Sequence, residues 1–211
     1  MGGFSISKRL LTLLIISLVY SGCGPKVMVP PLIDLAPYDI VGIIEFSSNY
    51  EGNLAPFATQ KFMEQIQYAQ PGVRILEIGS EKHALESIGH SQLNHDAVQA
   101  IGEEYSIDAL IIGAMDVDDI KPSVDLSTIL TSAEVRADVK ASLTVRLYET
   151  QSGATIWTSS AQRTETVAHV SILSGGSVSF DASDPDNAYG RLVYNLVEVV
   201  TDDFRVHYRR Q

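Results

Sequence analysis

The chain has 211 residues, of which 45% are hydrophobic and 19% charged, with 15 Gly and 8 Pro. That balance is globular and excludes a wholly disordered, collagenous or coiled-coil chain. The 26 acidic residues outnumber the 15 basic ones, for a formal charge of −11. Such a surface repels phosphate backbones, and no Lys/Arg run exceeds a pair, so nucleic acid is not an expected partner. A single cysteine excludes an internal disulfide framework and a multi-cysteine zinc site.

Residues 1–22 carry Lys8 and Arg9, no acid, an apolar run over 10–19, and then Ser21 and Gly22. Positive n-region, short h-region and small residues describe a secretory signal peptide. The run falls short of the ~20 residues that a spanning helix needs. Tyr20-Ser21-Gly22-Cys23 resembles the lipobox of bacterial lipoproteins. That resemblance implies that Cys23 becomes the acylated first residue of the mature chain. Gly24, where Asp is absent, implies sorting to the outer membrane. Several acyl chains, each worth ~0.8 kcal/mol per buried CH₂, would hold a domain on a bilayer.

Residues 23–38 include Pro25, Pro30, Pro31 and Pro37 and read as an extended tether. At ~3.1 Å per residue, residues 24–38 reach about 45 Å. A single folded domain is expected over 39–211. Residues 40–46 form an apolar run expected as a buried strand. Leu54, Phe57, Ala58, Phe62, Ile66 and Ala69 recur at helical spacing, and Pro71-Gly72 ends that helix. Residues 73–78 read as a second strand, residues 91–105 as a helix, and residues 108–114 as a third buried strand. This β-α-β-α-β order predicts a parallel sheet with right-handed crossovers.

Residues 135–147 then alternate without a break, apolar at odd positions and polar at even ones, as a long strand with one buried face does. Thr150-Gln151-Ser152-Gly153 supplies a turn, and residues 154–167, with Trp157, return antiparallel. Trp157 is expected to pack with Tyr148 on that hairpin. Asp184-Pro185 starts a closing helix whose apolar stripe runs from Tyr189 through Leu192, Val193, Leu196, Val197 and Val200 to Phe204. The expected fold is a three-layer-like α/β domain, its β-α-β-α-β core extended by a long antiparallel hairpin and a C-terminal helix.

Residues 97–113, Ala-Val-Gln-Ala-Ile-Gly-Glu-Glu-Tyr-Ser-Ile-Asp-Ala-Leu-Ile-Ile-Gly, and the hairpin from Val145 to Trp157 together resemble the CsgG / LpoB / TolB N-terminal-like envelope lipoproteins. There a helix ending near Gly leads into an "ADAIIxG" strand, followed by a "vrLxDxxTGxxxW" hairpin. Glu149 and Ser152 stand where the pattern has Asp and Thr. The resemblance implies a non-enzymatic, lipid-anchored protein of the cell envelope that docks other envelope proteins, most naturally at the outer membrane facing the periplasm. It also implies a second reading, a ring-forming, CsgG-like secretion or assembly component. The 135–147 strand is long enough for a membrane strand of ~9–11 residues. An oligomer is possible on either reading.

No Gly-rich phosphate cradle or Walker motif follows any expected strand, so no nucleotide cofactor is expected. Asp116, Asp118 and Asp119 lack the spacing of a calcium loop, and they read as solvated loop acids. The five histidines show no zinc spacing, and no Gly-x-Ser-x-Gly elbow exists. Neither metal nor catalytic residues are assigned. The long connections 117–132 and 171–183 should lie together at the end of the hairpin opposite Gln151-Ser152. They carry the candidate partner-binding residues Asp118, Asp119, Ile129, Leu130, Leu173 and Phe180. These either form a docking patch or fold back as packing over the sheet.

Overall fold

The computed structural model describes residues 26–123, 136–167, 171–172, 178–179 and 184–210. In chain order the elements are β1 (Lys26–Val29), β2 (Val41–Ile44), β3 (Ser47–Ser48), α1 (Leu54–Ala69), β4 (Ile75–Gly79), α2 (Glu81–Ile88), α3 (His95–Tyr105), β5 (Ala109–Ser123), β6 (Arg136–Glu149), β7 (Thr155–Val167), β8 (Ser171–Ile172), β9 (Val178–Ser179), α4 (Pro185–Val200) and β10 (His207–Arg210). A 3-10 turn at Asp202–Phe204 precedes β10. The chain divides into a larger unit, Leu32–Arg205, and a small one that holds β1 and β10.

The larger unit is built on one mixed sheet of order β4-β2-β5-β6-β7, with β3 added beside β5. β2 lies parallel to β4 and β5, as the alternation of strands and helices dictates. β5, β6 and β7 run antiparallel as a meander. Helices α1 and α4 cover one face, where Phe62, Ile66, Leu192 and Leu196 meet Ile43, Ile111, Leu143 and Val145. Helices α2 and α3 cover the other face at its β4-β2-β5 end, with Ala84, Val98 and Ile101 against Ile44, Ile78 and Leu110. The α/β class and the layering therefore follow the expectation.

Each helix shows why it starts and stops. α1 buries Leu54, Phe57, Ala58, Phe62 and Ile66, and it ends at Gln70, before Pro71-Gly72. α3 begins at His95 and not at residue 91, because Asn94 caps it by accepting from the Ala97 N–H at 2.9 Å. Asp184 caps α4 and Pro185 opens it. Phe204 lies beyond the helix, in the 3-10 turn, yet is fully buried. α2 is an element that the periodicity did not disclose. Its eight residues are too few to show a stripe, and its signals are local: Ser80 accepts from the His83 N–H, and Gly89 closes it at φ 70°.

Three further features differ from expectation. β5 does not stop near residue 114; it continues through Ser123, so residues 117–123 are strand and not loop. The fourteen residues of β6 offer a ladder on that side, and pairing with it overrides the poor strand propensity of Asp118, Asp119 and Pro122. A register shift between Val117 and Asp119 makes Asp118 the extra residue of a bulge. Asn49 secures the start of this extension: its side chain donates to the Val117 carbonyl at 3.0 Å and accepts from the Val117 N–H at 2.9 Å.

The second difference is at the expected tether, which is folded over most of its length. Within the larger unit, Leu35 is only 1% exposed. The Gln70 side chain accepts from the Leu35 N–H at 2.8 Å and donates to the Ile33 and Phe204 carbonyls at 2.6 and 3.0 Å. In the small unit, β1 and β10 pair antiparallel from Lys26↔Arg210 to Val29↔His207. Prolines 30, 31 and 37 fit an extended chain; within the larger unit the stretch around Leu35 is packed, and in the small unit residues 26–29 are paired with β10.

Third, Trp157 and Tyr148 do not pack together. Trp157 joins the α1/α4 face, where it meets Phe204 edge-on at a 4.8 Å centroid distance and donates from Nε1 to Asp203 at 2.9 Å. Tyr148 packs against the α2/α3 face. Side chains alternate along a strand, so residues on opposite parity separate to opposite faces.

Candidate protein-docking surface

The even-numbered residues of β6 face away from α1 and α4. They pair across the ladder as Asp138↔Thr166, Lys140↔Thr164, Ser142↔Gln162, Thr144↔Ser160 and Arg146↔Thr158. Tyr148 and Ile112 at one end of this face pack against the α2/α3 cluster. From Arg146 to Asp138 no described helix lies over it, and the side chains satisfy one another. The Thr144 and Ser160 hydroxyls are 3.0 Å apart, and Thr166 donates to Asp138 at 2.7 Å. Gln162 donates to Asp118 at 2.8 Å, and Lys140 Nζ lies 3.9 Å from the same carboxylate.

β7 borders this face and forms the edge of the sheet, paired only with β6 among the described residues. It is thirteen residues long, has no Pro or Lys, and has only Arg163 and Glu165 as charged residues. Sheet edges are ordinarily blunted by short length, lysine, proline or a covering element, because the free N–H and C=O groups of an edge pair readily with another strand. β7 has neither short length, lysine nor proline; its only such devices are a bulge at Ile156 and the charges of Arg163 and Glu165. At the far end, Ser123↔Arg136 and Ala137↔Val167 bring the ends of all three strands together, opposite the 150–153 turn.

Of the six residues singled out from the sequence, Asp118 and Asp119 lie on β5, not in a loop. Asp118 is exposed and bonded to Gln162; Asp119 is opposite Lys140 in the ladder. Ile129, Leu130, Leu173 and Phe180 lie outside the described residues. The β7 edge was not anticipated. Its signal was present in the sequence, a long return strand with few charges and a covered face on one side only, but edge position depends on topology and not on pattern.

Enclosed chemistry is sparse. A cleft of about 430 Å³ between α1 and the other edge strand, β4, is lined by Glu45, Gln60, Met63, Glu77 and Thr59. The Thr59 hydroxyl is fully used there, accepting from the Phe46 N–H at 2.8 Å and donating to the Ala55 carbonyl at 2.9 Å. No group of three or more His, Cys, Asp or Glu among the described residues could hold a metal. Among the described residues, two groups titrate away from their ordinary values. Burial, with the Glu149 charge, raises the Tyr38 phenol. Burial pulls Lys61 down, but the Glu64 and Asp186 carboxylates outweigh it and hold the ammonium above its usual value.

The motifs behind the family resemblance prove to be joints of the fold. The Thr150 hydroxyl donates to the Ile107 carbonyl at 2.6 Å, and its N–H donates to the Asp108 carbonyl at 3.1 Å. The Asp108 carboxylate accepts from the Asp39 N–H at 2.7 Å, at the entry to β2. Gln99 on α3 donates to the Gln151 carbonyl at 2.8 Å.

No family model and no curated protein matches this chain. Among solved structures, the PelC dodecamer from Paraburkholderia phytofirmans aligns over 90% of this chain and 100% of its own, at 14% identity and a TM-score of 0.49. The LpoB C-terminal domain from Escherichia coli aligns over 60% of this chain and 82% of its own, at 13% identity and a TM-score of 0.37. Lipoprotein GNA1162 from Neisseria meningitidis aligns over 60% and 83%, at 13% identity and a TM-score of 0.38. At such identities and scores nothing about this chain's partners follows.

Proposed function

We propose that this chain is a non-enzymatic, lipid-anchored protein of the bacterial envelope that docks other envelope proteins by adding one of their strands to β7. The observation that carries the docking is the edge of β7, unpaired on one side among the described residues, thirteen residues without Pro or Lys beside a polar face that no described helix covers. Strand addition draws affinity from main-chain hydrogen bonds and selectivity from alternate side chains, here Thr158, Ser160, Gln162, Thr164 and Thr166. The anchor rests on Cys23 in its lipobox-like setting, and the outer membrane on Gly24.

A photo-crosslinking residue at Thr164 should capture a discrete envelope protein in cells, and one at Tyr68, an 85% exposed residue of α1, should not. Equal capture at both positions, or none at Thr164, removes the docking site. Incorporation of labelled palmitate, lost in Cys23→Ser, tests the anchor separately.

A second reading has one observation in its favour. Among the described residues the sheet is open at both ends, β4 and β7, and two unlike edges permit a head-to-tail contact that closes into a ring of copies. Light scattering on detergent-extracted protein decides: a monomer mass sinks the ring.

A further inference from the structure

In the small unit, β1 and β10 make a two-stranded ribbon of eight residues. It carries Lys26, Arg209 and Arg210 and no acidic residue, in a chain where acids exceed bases by eleven. Residues directly opposite in an antiparallel pair share a face. One face therefore presents Lys26, Arg210, Met28 and Tyr208, and the other Val27, Arg209, Val29 and His207. Met28 is 61% exposed and Tyr208 66%. Apolar and aromatic side chains this open, interleaved with cations, are the composition of a segment that lies at a lipid headgroup layer.

Two features specify the orientation and the charge of the surface. Lys26↔Arg210 is the pair at the end of the ribbon that leads to Cys23, three residues away in sequence. Lys26, paired with Arg210, is therefore the described cation nearest in sequence to the residue proposed above as the lipid attachment point. Like charges directly opposite each other weaken a ladder, and neither Lys26 nor Arg210 has a carboxylate at salt-bridge distance among the described residues. An anion shared between them would remove that repulsion.

We infer that the β1/β10 ribbon is a membrane-surface contact that recognises anionic lipid headgroups through one face, with Lys26 and Arg210 on the phosphates and Met28 and Tyr208 in the interfacial layer. The inference extends the anchoring reading but does not require the acyl chain. Acylation holds the chain at a bilayer, whereas the ribbon selects a negatively charged one and fixes how the first residues lie against it.

The test uses the full-length Cys23→Ser chain, which has no thiol to acylate, floated with phosphatidylcholine vesicles with or without phosphatidylglycerol. Phosphatidylglycerol should strengthen association. Lys26→Gln/Arg210→Gln should abolish that gain, weakening binding about twenty-five-fold at a contribution of about fivefold per basic residue, and high salt should do the same. Residues 1–22 are common to all variants and cancel. Tyr208→Ser should weaken binding to both kinds of vesicle a few-fold. The substituted residues are exposed, and a thermal midpoint equal to that of the parent confirms an intact larger unit. Equal association of parent and double variant with phosphatidylglycerol vesicles overturns the inference, whatever palmitate labelling shows. Loss of palmitate labelling with charge-dependent flotation intact overturns only the acyl anchor.

Discussion

Gly102 of α3 lies directly against Thr150, the buried residue that ends the β6 arm of the hairpin. A Cβ built on Gly102 would overlap the Thr150 side chain, with Oγ1 at 2.9 Å. The contact is what lets the helix approach the hairpin turn closely enough for Thr150 to bond the Ile107 carbonyl and for Gln99 to bond Gln151. Gly153 completes the joint, at φ 65° and close to His95. Gly102→Ala should therefore destabilise the larger unit by about 1–3 kcal/mol, the usual cost of overpacking. Combining it with Thr150→Gly should cost less than the two changes added together, because the clash disappears with the side chain. Urea unfolding of the four proteins checks this, and strict additivity would contradict it.

Leu35 distinguishes a tether from a folded segment. If residues 32–38 merely spaced the domain from a membrane, Leu35→Ala would be silent. Buried to 1% exposure and held by Gln70, it should cost about 2–5 kcal/mol, as for other buried leucines. Gln70→Ala should cost about 1–3 kcal/mol, since it leaves backbone groups of Ile33, Leu35 and Phe204 without their partner.

Asn49 imitates a strand with its side-chain amide, bonding both backbone groups of Val117. Asn49→Ala should destabilise by about 1–2 kcal/mol. Its effect should also be local. Amide exchange should rise in β5 beyond Val117 and stay slow at Leu110 and Ile111, which have strands on both sides.

These particulars show what the sequence disclosed. Long periodic patterns carried β6, β7, α1 and α4, because a buried face repeated over a dozen residues leaves little freedom of interpretation. The short motifs around Gly102 and the turn at 150–153 were legible as a family resemblance, and the structure shows their physical content, a helix-to-hairpin joint. What escaped depended on partners far along the chain. Leu35 is one of several apolar residues among prolines until Gln70, far along the chain, reaches it. Asp118 and Asp119 look like loop acids until β6 offers them a ladder. The β7 edge is visible only once the strand order is known. As for the six candidate docking residues, pattern could propose their neighbourhood but not the strand on which the first two sit.

Alkaline pH should weaken the larger unit. Tyr38 and Lys61 both hold their protons more tightly in the folded chain than their ordinary values of 10.0 and 10.5. A folded-state value above the unfolded one contributes fully below the unfolded value and is lost as pH rises through the folded one. For Lys61 the lost term is attraction to Glu64 and Asp186; for Tyr38 it is the burial of a neutral phenol. Denaturation midpoints should be insensitive to these groups between about pH 7 and 9 and fall above about pH 10. Tyr38→Phe and Lys61→Gln should each make that fall shallower, and an unchanged slope in both would show that other groups govern it.

The docking surface can be separated from the fold by charge alone. Gln162 and Thr164 are exposed on the edge strand, with side chains on the face that no described helix covers. Lysine there supplies the protection that natural edges use and β7 lacks. Gln162→Lys/Thr164→Lys should change stability by no more than about 0.5 kcal/mol, as exposed substitutions away from packing do. One hydrogen bond to Asp118 is lost, but a lysine at 162 returns an ion-pair partner to that carboxylate. If partners add a strand to β7, crosslinking from Thr158 on the same strand should collapse in this variant while palmitate labelling persists. If crosslinking survives at full strength, the partner does not use the β7 edge. If the variant unfolds early, these residues belong to the packing, and strand addition loses the free edge on which it depends.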